Sequence, residues 1–212
     1  PVSVVFTKHF KPMVIGTFIM VATYSLFYIM TAFAQAYSRT PATLSEAGYP
    51  MGLGIPANTF TGLLLMSAIV FAIFISISGL YADKIGRRKW LIWTTVSILI
   101  FALCMPLFLG NGTPTSVFAF LVIGMALMGM TFGPMAALLP ELFPTEVRYS
   151  GASLAYNIAS IIGATIAAMI SLKINALYGL MGVGIYLAIN AFLTLLALLA
   201  SKETKNVDLT QI

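Results

Sequence analysis

Long apolar runs alternate with short polar gaps along the whole chain. Six runs, at residues 12–37, 58–82, 90–109, 117–139, 151–172 and 181–200, contain no Asp, Glu, Lys or Arg. A helix crosses the hydrocarbon core of a bilayer with about 20 mainly apolar residues, and each run reaches that length. The gaps carry residues that end helices. Pro41, Gly48, Pro50, Gly52, Gly54 and Pro56 punctuate the first and longest gap. Gly110-Asn111-Gly112-Thr113-Pro114 closes the third run, and Tyr178-Gly179 the fifth. Backbone polar groups in lipid must find partners within their own segment, so the runs predict helices rather than open strands. The expected fold is all-α and integral to a membrane: a six-transmembrane-helix bundle over 12–200, with a lead-in at 1–11 and a tail at 201–212.

Composition agrees with the pattern. Of 212 residues, 60% are apolar and 8% charged, and the mean hydropathy is +1.00. An average soluble domain carries about 25% charged residues, so this chain could not cover a water-facing surface. A soluble enzyme, a disordered tail and a secreted disulfide scaffold are excluded. Charge then sets orientation. Lys8, Lys11, Lys84, Arg87, Arg88, Lys89, Arg148, Lys202 and Lys205 fall at one end of the predicted bundle, and only Arg39 and Lys173 at the other. Basic residues in short loops stay in the cytoplasm, so both chain ends are expected to face inward. The net charge of +5 is spread over short loops; it is no nucleic-acid footprint. His9 reads as an interfacial side chain and Cys104 as a small buried hydrophobe. No cluster suggests a metal or cofactor. The chain opens on Pro1 without an initiator Met, which reads as a piece of something longer.

Two loops carry more than anchoring charge. Between the second and third runs stands Gly79-Leu80-Tyr81-Ala82-Asp83-Lys84-Ile85-Gly86-Arg87-Arg88-Lys89. Its Gly-x-x-x-Asp-x-x-Gly-Arg-Arg order resembles the loop motif of the major facilitator superfamily. Between the fourth and fifth runs stands Pro140-Glu141-Leu142-Phe143-Pro144-Thr145-Glu146-Val147-Arg148-Tyr149-Ser150-Gly151. That order is similar to the junction of helices ten and eleven in the metabolite:proton symporter branch, which includes shikimate, α-ketoglutarate, citrate and proline/betaine carriers. Lys202-Glu203-Thr204 also resembles that branch's C-terminal end. The resemblance implies that the six runs are helices seven to twelve, two inverted three-helix repeats that rock against an N-terminal six-helix half. It further implies a bacterial inner-membrane carrier, with a small organic acid or zwitterion and a proton as its cargo. A membrane scaffold or sensor subunit is the rival reading, and an intramembrane enzyme a weaker one.

Candidate site residues fall into three groups. Tyr24, Tyr28, Thr31 and Gln35 step by 4, 3 and 4 and would share one helix face. With Thr131, Tyr156, Asn157 and Ser160 they are the candidates for lining a substrate cavity, because the resemblance assigns cavity walls to helices seven, eight, ten and eleven. The small residues of the fifth run serve equally well as a close-packing stripe. Gly79, Asp83, Gly86, Arg87, Arg88, Glu141 and Arg148 form the candidate cytoplasmic gate, with solvated interface charges as the plain alternative. Gly129, Gly133 and Pro134 mark a candidate helix bend, since Pro134 cannot donate to the Met130 carbonyl. No Asp, Glu, Arg, Lys or His lies at the middle of any run, so a proton-coupling group is expected in the absent half.

Overall fold

The computed structural model describes residues 2–201. The predicted tail, with Lys202-Glu203-Thr204 and Lys205, lies outside the described residues apart from Ser201. Helix α1 (Val2–Lys8) leads into α2 (Phe10–Tyr28), which continues through a π-helical turn at Ile29–Phe33 into α3 (Ala34–Arg39). Then follow α4 (Ala57–Ile85), α5 (Arg87–Leu103), α6 (Met105–Leu109) and α7 (Pro114–Glu141). Helix α8 (Arg148–Ser160) passes through a second π-helical turn, Ile161–Thr165, into α9 (Ile166–Ala200). Four stretches are long and apolar enough to cross a membrane: Phe10–Arg39, Ala57–Ile85, Pro114–Glu141 and Arg148–Ala200.

Two departures from the uninterrupted runs have local causes. Helix α5 stops at Cys104 because Pro106 has no N–H for the Ala102 carbonyl, and α6 restarts with Pro106 in its first turn. The 53-residue stretch Arg148–Ala200 breaks at Gly179, whose φ of 68° and ψ of −172° are not helical. Only glycine takes that φ without strain, and a Cβ there would stand 2.6 Å from the Tyr49 ring. Before the break the chain runs parallel to α2, with Ala155 beside Gly16 and Gly163 beside Tyr24. After it the direction is opposite, with Asn190 meeting Ser25 and Thr194 meeting Phe18. The chain therefore reverses at Gly179.

The same test orients the other helices. Phe71 and Phe74 lie against Gly129, and Ile75 and Gly79 against Gly133, so α4 and α7 run side by side in one direction. Helix α5 opposes them: Trp90 meets Met130, and Phe101 stacks on Phe120. The chain thus gathers Asp83, Arg87, Glu141 and Arg148 at one end. The loop at 40–56 lies at the other, tied to α9 by the Ser45 hydroxyl on the Ala176 carbonyl (2.7 Å) and the Asn175 amide on the Pro50 carbonyl (2.9 Å).

Burial separates an inner helix from an outer one. The most apolar window of Phe10–Arg39 is 67% buried, that of Ala57–Ile85 only 11%. Leu65, Met66, Ile69 and Ile73 of α4 stand exposed, as do Trp93, Ile100 and Leu107 of the α5–α6 stretch. Lipid tails are as apolar as these side chains, so close packing and interhelical hydrogen bonds hold such a bundle together, at about 0.6–2 kcal/mol per bond. Several are in place around α2. The Asn190 amide donates to the Ser25 hydroxyl at 2.8 Å. One turn away, the Thr194 hydroxyl accepts from the Ala22 N–H (3.0 Å) and donates to the Phe18 carbonyl (2.6 Å). Those two backbone groups would otherwise pair with each other, so Thr194 is wedged into the α2 ladder.

Candidate functional site

Candidate cavity residues lie along the α2–α3 stretch, including its π-helical turn, and along α8. Tyr24, Tyr28, Thr31 and Gln35 are half-buried; on α8, Tyr156 and Ser160 are half-buried and Asn157 is exposed. Gly163 lets the two helices touch, because a Cβ there would lie 2.8 Å from both the Tyr24 Cβ and the Val21 carbonyl oxygen. Tyr24 and Tyr156 consequently pack on the same apolar cluster. Tyr28 meets Phe27 edge-on at 5.2 Å. The Thr31 hydroxyl is occupied by the Phe27 carbonyl (2.7 Å), and the Asn157 amide donates to the Ser153 carbonyl (2.8 Å). Gln35 lines an open depression of about 520 Å³ with Ala32, Ala36, Arg39 and Thr40. Thr131 does not join this seam: it is 2% exposed and donates to the Met128 carbonyl of its own helix.

Both seam helices carry a π-helical turn, a feature the sequence pattern did not reveal. In the first, the Ala34 N–H reaches back five residues to the Ile29 carbonyl. Such a turn adds one residue and rotates everything beyond it by about 100° relative to a straight helix. The 4-3-4 spacing of Tyr24, Tyr28, Thr31 and Gln35 therefore does not place Gln35 directly above Tyr24. The second turn begins immediately after Ser160.

At the basic end, the α4–α5 corner is a tight turn at Gly86 (φ 113°). It places Arg87 at the first position of α5, where its guanidinium pairs with Asp83 at 3.1 Å and with Glu141 at the end of α7. Asp83 is 64% exposed, Glu141 only 12%, so the Glu141 arm is the less screened of the two. Partial burial works against the Arg87 charge; hydrogen bonds and attraction from Glu141, then from Asp83, outweigh it and raise its pKa above the ordinary arginine value. Arg88 donates to the Leu198 and Leu199 carbonyls at 2.7 and 3.0 Å, placing a cation at the negative end of α9. Arg148 donates to the Phe143 carbonyl at 3.3 Å. The Asp83–Arg87–Glu141 links all join helices of this chain.

The glycines of the motifs divide in their use. Gly129 and Gly133 let α7 lie directly on α4: a Cβ on Gly129 would sit 2.7 Å from the Phe71 carbonyl oxygen, and one on Gly133 2.7 Å from that of Ile75. Gly79 is not used in this way, since a Cβ on it would meet open space. Helix α7 runs on through Pro134 to Glu141. The Met130 carbonyl released by Pro134 accepts the Trp90 indole N–H at 2.9 Å. Trp90 went unnoticed in the sequence because nothing in the spacing sets α5 against α7. Among the described residues no group of His, Cys, Asp and Glu could hold a metal ion.

Residues 50–212 match the family described as sugar (and other) transporter. A Haemophilus influenzae protein named "Putative metabolite transport protein" is 87% identical over the whole chain, which covers 48% of that relative. The inner membrane metabolite transport protein YhjE of Escherichia coli is 51% identical over 99% of the chain and 46% of its own length. A proline/betaine transporter of Salmonella typhimurium is 27% identical over 94% of the chain and 38% of its own length. The chain spans about half the length of the curated relatives it matches. No solved structure gives a match. Together with the Gly-x-x-x-Asp-x-x-Gly-Arg-Arg corner and the all-helical bundle, these matches place the chain in the sugar and other transporter family of the major facilitator superfamily.

Proposed function

We propose that this chain is the C-terminal half of a bacterial inner-membrane carrier that moves small polar metabolites by alternating access. In this reading the chain crosses the membrane six times, with both ends in the cytoplasm, and rocks against a second six-helix half around a central site. One contrast carries the proposal: the exposed faces of α4 and α5 are largely apolar, whereas the α2–α3 stretch and α8 leave three tyrosines, Gln35 and Asn157 at least partly open. Polar groups held at the middle of a membrane need water, a ligand or each other. A shared cavity supplies the first two.

The cargo is a small organic acid or zwitterion, bound by hydroxyl and amide donors of this half, and the proton-coupling residue belongs to the partner half. The Asp83–Arg87–Glu141 cluster is the cytoplasmic gate; it stabilises one setting of α7 against α4 and α5. Uptake by the full-length protein across organic acids and betaines tests this reading. For a transported compound, Tyr28→Phe or Asn157→Ala should raise KM by about 2- to 13-fold, the equivalent of one lost hydrogen bond. Ser97→Ala, on the lipid side of α5, should leave KM unchanged. Equal effects from all three, or no uptake of any compound, would overturn the proposal.

A further inference from the structure

Pro134 leaves a defect in α7 that another helix repairs. A proline inside a helix frees the carbonyl four residues back, and in lipid a carbonyl without a donor is costly. Membrane helices satisfy such a group through a neighbouring helix, a serine or threonine hydroxyl, or water. Here the donor is the Trp90 indole, 2.9 Å from the Met130 oxygen and carried by α5. An interfacial tryptophan that serves only as an anchor turns its N–H toward the headgroups; this one points it into the bundle. The Tyr81 ring stacks on the indole at 6.0 Å and 17° and holds its plane.

Trp90 sits three residues after Arg87, one turn along the same helix. Arg87 grips Glu141 at the tip of α7, while Trp90 caps the Met130 carbonyl that Pro134 leaves free. One turn of α5 therefore holds both ends of the segment from Pro134 to Glu141. We propose that Trp90 is the positioning residue for this segment: its N–H replaces the backbone donor that Pro134 lacks, and so fixes the setting in which Glu141 meets Arg87. The inference rests on the transport reading for its purpose but not for its test.

Hydrogen exchange on the full-length protein in lipid nanodiscs provides that test. Trp90→Phe keeps the stack on Tyr81 and removes the N–H. Amides over residues 129–141 should then exchange about fivefold or more faster, the lower end of the effect of orphaning a buried carbonyl. Those of α2 should not change. Pro134→Ala restores the backbone bond to Met130, so Trp90→Phe in that background should have no effect on exchange. Unchanged exchange in Trp90→Phe, or an acceleration that persists with Pro134→Ala, would overturn the proposal. If Trp90→Phe alone fails to fold, recovery in the double variant supports it, and failure of both refutes it. A protein that shows this exchange pattern yet moves no metabolite would retain the proposed positioning role of Trp90 and lose the transport reading.

Discussion

Gly133→Leu should abolish assembly of the protein. A Cβ added at this position would lie 2.7 Å from the Ile75 carbonyl oxygen and 2.9 Å from the Gly79 nitrogen. Both are backbone atoms of a neighbouring helix and cannot rotate away. Alanine forces α4 from α7 by a few tenths of an ångström or more, an overpacking cost of about 1–3 kcal/mol. Leucine cannot be accommodated at all. Separation also removes the Ser78 hydroxyl from the Gly129 carbonyl, now 3.0 Å apart. Gly62 and Gly79 serve as controls, because each has open space where a Cβ would stand. Their alanine variants should lie within about 1 kcal/mol of the parent, since alanine is the better helix former. Size-exclusion profiles and melting temperatures of the purified full-length variants distinguish these outcomes.

Arg87→Met should be the most damaging change of charge. It leaves Glu141, 12% exposed and with one carboxylate oxygen already buried without a partner, as an unpaired charge. Breaking a fully buried pair costs about 3–5 kcal/mol; with Arg87 20% exposed, about 2–3 kcal/mol is expected here. Asp83→Asn should cost no more than about 1 kcal/mol, because that carboxylate is mostly solvated. Thermal unfolding of both variants beside Glu141→Gln gives the comparison. A melting temperature lowered as much by Asp83→Asn as by Arg87→Met would show that the exposed arm of the cluster matters as much as the inner one.

This ordering reverses the emphasis that the loop motif suggests on its own. Asp83 is the carboxylate written into the motif, but its distance from Arg87 along one chain, four residues, says nothing about solvent. Glu141 lies 54 residues from Arg87, and only the packing of α7 beside α4 and α5 reveals it as the less exposed partner. What was legible in the sequence depended on simple periodicities. Lengths of apolar runs, proline and glycine breaks and the two loop motifs point to a helical membrane bundle of this family. The π-helical turns were not legible, because Ile29–Phe33 and Ile161–Thr165 are mainly apolar sequences with no proline or spacing signal to mark an extra residue. Thr131 appeared polar and therefore open to a cavity; its hydroxyl is instead consumed by its own helix. Trp90 and Thr194 act on the backbone of other helices, and no spacing within one chain segment encodes that.

Solvent access along the α2–α3 stretch and α8 tests the central claim most directly. In a full-length background with Cys104→Ser, single cysteines replace Tyr24, Tyr28, Gln35 and Asn157, and Leu65, Ile69 and Ile73 of α4 serve as the outer comparison. A small charged thiol reagent applied to membranes should label the α2, α3 and α8 positions and spare those of α4. Labelling confined to α4, with the tyrosine and asparagine positions inert, would mean that the polar residues face acyl chains or a sealed contact, and the account would fail.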